Sequence, residues 1–142
     1  TALEARLGVA KAQSPDDFRM ATWEQVQDAA AQGLFTFGPH SRTHDILSQV
    51  GDEEVERQIA GSREDVERRL GAQPTAFAYP NGRPEDFDDR SKRAVVEAGF
   101  DWAFSTRLGL VGAEDDPLAL PRIAVGADLP FVRFQLLCSG WL

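Results

Sequence analysis

At 142 residues the chain is one domain's worth, long enough to bury a core and short of the roughly 200 residues at which complete α/β barrels begin. Its 23 acidic residues against 15 basic ones give a formal net charge of −8, and no run of Lys or Arg stands out as a track for phosphates, so a nucleic-acid partner is not expected. An apolar fraction of 42% with 27% charged residues suits an ordinary globular protein, and no stretch reaches the roughly 18 apolar residues that span a bilayer.

Residues 1–21 are mixed, with Leu3 and Leu7 at helical spacing and a polar break from Gln13 to Asp17. Because the chain begins with Thr1, it reads as a piece of something longer. Thr22 with Gln25 forms a capping-box pattern, and Trp23, Val26, Ala29 and Ala30 share a face up to Gly33, which predicts a helix over 22–32. Leu34-Phe35-Thr36-Phe37 then fits a short buried strand.

Asp52 is expected to cap a long helix over 53–70, with Val55, Ile59, Val66 and Leu70 on its apolar side and Gly71 ending it. The charges on that helix read as a solvated face. Thr75–Tyr79 is the next strand, broken by Pro80-Asn81-Gly82-Arg83-Pro84; residues 88–98 resume helical spacing, Gly99 stops them, and 100–105 gives a third strand. The acidic loop Glu114-Asp115-Asp116-Pro117 reads as solvated, 121–125 as a last strand, and the apolar segment from Pro130 as cover for the sheet or barrel. The single Cys138 excludes an internal disulfide and reads as core filler within that segment. Strands alternating with helices of this length predict a parallel α/β sheet built from crossovers.

The chemistry is concentrated in Gly38-Pro39-His40-Ser41-Arg42-Thr43-His44-Asp45, which holds both histidines of the protein. Histidine is the commonest metal ligand, and four-residue spacing on one turn puts two imidazoles on one face, about 5–6 Å apart at Cβ. The pair lacks the Glu of the His-Glu-x-x-His zinc signature.

The run from Phe37 to Ser48 resembles the His-[Ser/Thr]-x-x-His motif of the polysaccharide deacetylases, also called the NodB homology domain, a carbohydrate esterase group. Phe77-Ala78-Tyr79-Pro80-Asn81-Gly82 resembles that family's third motif in one bacterial branch, and Leu120-Pro121-Arg122-Ile123 with Phe134–Trp141 resembles the end of the branch's domain. The resemblance implies a deformed (β/α) barrel, here a partial one within a single domain over 1–142, that removes acetyl groups from N- or O-acetylated polysaccharide. It also implies a divalent metal, most simply Zn2+, held by His40 and His44 with an aspartate as third ligand. The Asn81 backbone N–H would stabilise the oxyanion, Tyr79, Pro80 and Trp102 would line the sugar site, and Arg122 or Arg83 would stand in for an arginine that many members carry where this chain has Ala78. Ser41 and Thr43 would orient the histidine loop.

The family's first motif, an apolar strand ending in Phe-Asp-Asp-Gly that supplies the base and the third ligand, has no match. The only adjacent acidic pair near the start, Asp16-Asp17, follows Lys11-Ala12-Gln13-Ser14-Pro15 and precedes Phe18-Arg19-Met20. No third histidine exists to act as general acid. The expectation is therefore the carboxyl-terminal portion of a metal-dependent deacetylase, not competent alone and poorly soluble. The alternative is a carbohydrate-binding or scaffold module with a remnant metal site. Because long sugar polymers lie outside the cytoplasm, an extracytoplasmic or envelope location is expected.

Overall fold

A computed structural model describes residues 20–126 and 128–141; the acidic pair Asp16-Asp17 and the leucines at 3 and 7 lie outside them. Helix α1, Trp23–Ala31, starts at a complete capping box in which Thr22 Oγ1 accepts the Gln25 N–H and Gln25 Oε1 accepts the Thr22 N–H. It docks at the far end of α2, Asp52–Leu70, where Gln27 donates to the Arg69 carbonyl at 2.7 Å and the Arg69 guanidinium lies 5.5 Å from the Trp23 ring centre.

The cap of α2 is Gly51, which makes no side-chain bond, and not Asp52. Asp52, Glu53 and Glu54 instead fill the first turn, where the helix dipole favours negative charge. Asp52 is held by Arg90, which also reaches Asp88 and the carbonyls of Ser48 and Val50. One guanidinium thus ties the single turn Leu47–Gln49 and the start of α2 to the start of α3, Asp89–Glu97. Gly71, at φ 68°, ends α2 in the left-handed conformation that a side chain resists.

Three parallel strands, β1 (Ala76–Ala78), β2 (Trp102–Leu108) and β3 (Leu120–Arg122), form a sheet in the order β1-β2-β3. Helix α3 carries the chain from β1 to β2, while β2 joins β3 through the acidic loop. Phe104 pairs with Leu120 but Leu108 with Arg122, so β2 spends two more residues than its partner and bulges. The core lies between the sheet and the two central helices, with Leu47, Val55, Ile59, Phe77, Tyr79, Phe87, Val95 and Phe100 buried together.

Several expectations change. Residues 34–37 form no strand: Leu34 and Phe35 are exposed, and the bond that ties this segment to β1 runs from the Ala78 N–H to the Pro39 carbonyl. An apolar run without a paired neighbour on both sides has nothing to bury it. The final apolar segment is a helix, α4 (Phe131–Cys138), whose Phe131, Val132 and Leu136 face solvent. None of its residues is buried or belongs to the core cluster, and Cys138 is exposed, not core filler. The acidic loop is structured rather than freely solvated, because Asp115 takes the Gly112 N–H and pairs with Arg107 while Asp116 takes the Leu118 N–H and pairs with Lys92.

Candidate active site

His40 and His44 come together at the carboxyl end of β1, with ring centres 4.8 Å apart and planes at 78°. His40 is half-buried and His44 exposed. His40 Nδ1 lies 2.7 Å from the Ala78 carbonyl. A carbonyl can only accept, so Nδ1 carries the hydrogen and Nε2 keeps its lone pair. Burial holds the His40 pKa below the ordinary imidazole value, and the charges of His44 and Arg122 push the same way against the Ala78 carbonyl. The ring is therefore neutral near pH 7.

The loop between the histidines is bent into the left-handed region at two non-glycine residues, Ser41 and His44, each with φ 62°. Such residues cost on the order of 1–3 kcal/mol and persist only where their surroundings hold them. Ser41 Oγ accepts the His44 N–H at 2.9 Å. The side-chain oxygen of Gln58, from α2, accepts the N–H groups of both Arg42 and Thr43 at 2.8 and 3.0 Å. Arg42 forks onto Asp65, also from α2, through Nε and a terminal nitrogen at 2.7 and 3.1 Å, and holds that carboxyl below the usual carboxylate range. The polar side of α2 is thus partly a docking face for the histidine loop and not wholly a solvated one.

The third-motif residues separate into scaffold and presented groups. Tyr79 is fully buried, stacked on Phe87 with ring centres 4.0 Å apart, and its hydroxyl donates to the Leu118 carbonyl at 3.0 Å. Burial, with the Asp116 carboxylate, pushes that phenol far above its ordinary pKa. Pro80 is buried beside it, while Asn81 is exposed at φ 56°. Gly82 follows at φ 71°, its N–H on the Pro80 carbonyl and its own carbonyl taking the Thr106 N–H at 2.8 Å. Among the described residues nothing accepts the Asn81 N–H.

Arg122, on β3, lies near enough for its charge to act on His40. Trp102 stands at the amino end of β2, paired in register with Ala76 and half-exposed, two residues back along β1 from the carbonyl that His40 touches. Neither histidine lines the cleft of about 640 Å³ between the Gly82 turn, α3 and β2. Arg83 lies on that cleft's wall.

Two imidazoles at this spacing, one with its Nδ1–H held by a backbone carbonyl and its Nε2 left free, fit two corners of a metal site. Among the described residues no group of three or more His, Cys, Asp or Glu side chains gathers around a point where an ion could sit. The structure brings together the two histidines that the sequence singles out, and adds Gln58 as a partner of their loop, which the sequence reading did not single out. Its signal was positional, because Gln58 falls three residues after Val55 and one before Ile59, on the buried side of a helix with 3.6 residues per turn.

The family model for polysaccharide deacetylase matches residues 8–103. The chain belongs to the polysaccharide deacetylase family. Within the solved structures, similarity extends to the Streptococcus pyogenes deacetylase PplD in complex with acetate, with a TM-score of 0.73 and 20% identity over 86% of this chain and 52% of that one. A polysaccharide deacetylase from Bacillus cereus gives 0.70 and 22%, covering 86% and 38%, and IcaB from Ammonifex degensii gives 0.69 and 22%, covering 91% and 56%. The family fold is therefore present as a partial, open parallel α/β sheet, and the chain spans about half or less of the length of these structures. No curated protein matches by sequence. The family match begins at residue 8, earlier than the motifs alone suggest, and stops before the Leu120–Ile123 segment.

Proposed function

We propose that this chain belongs to a metal-dependent hydrolase that removes acetyl groups from N- or O-acetylated polysaccharide, with His40 and His44 as two ligands of a divalent ion, most simply Zn2+. The observation that carries the reading is the His40 Nδ1 contact with the Ala78 carbonyl at 2.7 Å, which leaves a neutral imidazole's Nε2 free on a ring whose centre lies 4.8 Å from that of His44. Family membership supports it. When bound, a divalent ion supplies polarisation of the acetyl carbonyl and a water of lowered pKa.

The chain's own groups do the rest. Ser41 keeps the His44 backbone in place, and the left-handed Asn81 offers an N–H to an oxygen that gains negative charge as the acetyl carbon becomes tetrahedral. Arg122 contributes positive charge beside His40. Tyr79 and Pro80 act from within the core, fixing the turn that presents Asn81. The polymer's size favours an extracytoplasmic or envelope setting.

The second reading, a carbohydrate-binding or scaffold module with a remnant site, is favoured by the lack of a third ligand among the described residues. Acetate release from an N-acetylated polysaccharide, with Zn2+ and with chelator, separates the two. The deacetylase reading expects Zn2+-dependent release that falls at least about 100-fold in His40→Ala. Polymer binding with no acetate release, in the whole protein, would favour the module.

A further inference from the structure

Gln58 is fully buried on α2, and four of its five hydrogen-bond contacts reach the histidine loop and its flank, the fifth being to Glu54 one turn back on its own helix. Its oxygen accepts from the Arg42 and Thr43 N–H groups. Its amide nitrogen faces Thr43 Oγ1 at 2.5 Å, Glu54 Oε1 at 2.6 Å and Asp45 Oδ2 at 3.1 Å. Thr43 Oγ1 in turn donates to Asp45 Oδ2 at 2.6 Å. One side chain therefore takes two of the three backbone N–H groups that lie between the two histidines, those of Arg42 and Thr43, and anchors the residues on either side of His44.

The stretch it grips is bracketed by the two left-handed residues, Ser41 and His44. A loop bent at both ends into an unfavoured region needs a partner that cannot drift, and a buried amide fixed on both its oxygen and its nitrogen is such a partner. The exposed contacts cannot serve alone: Arg42 and Asp65 are both partly solvated, and pairs of that kind are weak.

We propose that Gln58 is a positioning residue that holds His40 and His44 in their paired geometry, so that metal affinity depends on a side chain that hydrogen-bonds to neither imidazole. The inference rests on the metal reading of the histidines, and its test is built to fail separately. In Gln58→Met the side chain keeps its length and loses its polar atoms. The control is Ile59→Val, which trims the same helix's core contact and leaves the loop's partners alone.

Two measurements on the full chain decide it. The first is metal-free amide exchange at Arg42 and Thr43 together with the ring nitrogen spectrum, readily assigned because the chain has two histidines. Gln58→Met should raise exchange at both amides and weaken the Nδ1–H preference of His40, and unchanged exchange and tautomer would overturn the proposal whether or not a metal binds. The second is Co2+ affinity from absorption, with His40→Ala as reference. Gln58→Met should lose about tenfold, the lower end of what outer-shell substitutions cost, while Ile59→Val stays within about twofold.

An equal loss in Ile59→Val at matched melting temperature would mean that only helix stability matters, and would sink the idea. Should Gln58→Met fail to fold, Thr43→Val removes the exposed half of the network and should cost about threefold; wild-type affinity and wild-type exchange in that variant would count against Gln58. If wild-type Co2+ binding is indifferent to His40→Ala, the metal reading fails while the exchange and tautomer data still judge Gln58.

Discussion

At the scale of single residues, burial separates what a motif presents from what it stands on. Tyr79 belongs to the third motif, yet its ring is stacked on Phe87 and its hydroxyl is spent on the Leu118 carbonyl. Tyr79→Phe should therefore lower stability by about 1 kcal/mol, the usual net worth of a hydrogen bond, and, on the proposed reading, leave the whole protein's KM for polysaccharide unchanged. Tyr79→Ala should cost about 3–5 kcal/mol through the cavity it leaves. Denaturant melts of both, with a KM for the first, check this, and a raised KM in a fully stable Tyr79→Phe would return the residue to the sugar site. The histidine pair was legible because residue type and spacing carry it. Gln58 was harder to find, because a glutamine on a charged helix looks solvated until the loop that it serves is folded onto it.

At the scale of elements, local rules worked where they were self-contained and failed where burial depends on a distant partner. The capping box at Thr22 and the left-handed stop at Gly71, both read from the sequence, are written within a few residues of each helix end, and so is the capping box at Asp88, which the sequence reading passed over. Whether 34–37 becomes a strand, or the apolar residues of α4 become core, depends on chain that must pack against them, and periodicity is silent about that. Asp88 offers a quantitative check. Its carboxylate takes the Ser91 N–H at 3.0 Å and pairs with Arg90. Partial burial opposes ionisation, but the Ser91 and Arg90 bonds outweigh it and leave the pKa below the ordinary value.

A depressed folded-state pKa means that this stabilisation is complete above the unfolded value, about 3.9, and is lost as pH falls through the lower folded value. Asp88→Ala should cost about 1 kcal/mol at neutral pH and flatten the acid limb of the stability profile below pH about 4. Equilibrium unfolding from pH 2 to 7 measures both, and an unchanged acid limb would remove Asp88 from the account. At the Gly82 turn a different constraint applies. A Cβ there would sit 3.0 Å from the Thr106 nitrogen at a φ of 71°, so Gly82→Ala should destabilise by about 1–3 kcal/mol. On the proposed reading it should also reduce deacetylation by the whole protein more than the melt predicts, because Asn81 would lose its placement. A variant that melts early but keeps full specific activity would argue that the turn does not present the oxyanion donor.

At the scale of the whole molecule, parallel sheets are ordinarily covered on both faces, and the described residues place three such strands side by side. Here Leu108, Leu110, Val111 and Val125 near the β2–β3 side are exposed, and so are Phe131, Val132 and Leu136 on α4 and the adjacent Trp141. The end of α4 approaches this side, since a Cβ at Gly140 would lie 3.4 Å from the Leu110 side chain. Exposed apolar side chains gathered toward one side favour association, and a net charge of −8 opposes it only at long range and low salt. The isolated chain should therefore self-associate as concentration rises, and more so at high salt, where repulsion is screened and apolar contact is not. Phe131 and Val132 are 70% and 67% exposed, so Phe131→Gln with Val132→Gln should leave the melting temperature within the small range of surface substitutions, about 0.5 kcal/mol, while lowering the associated fraction. Light scattering across protein and salt concentration, run beside thermal melts, tests both halves. Association that persists unchanged in the double variant would move the cause to the open strand edges, where unpaired backbone groups and not side chains recruit the second molecule.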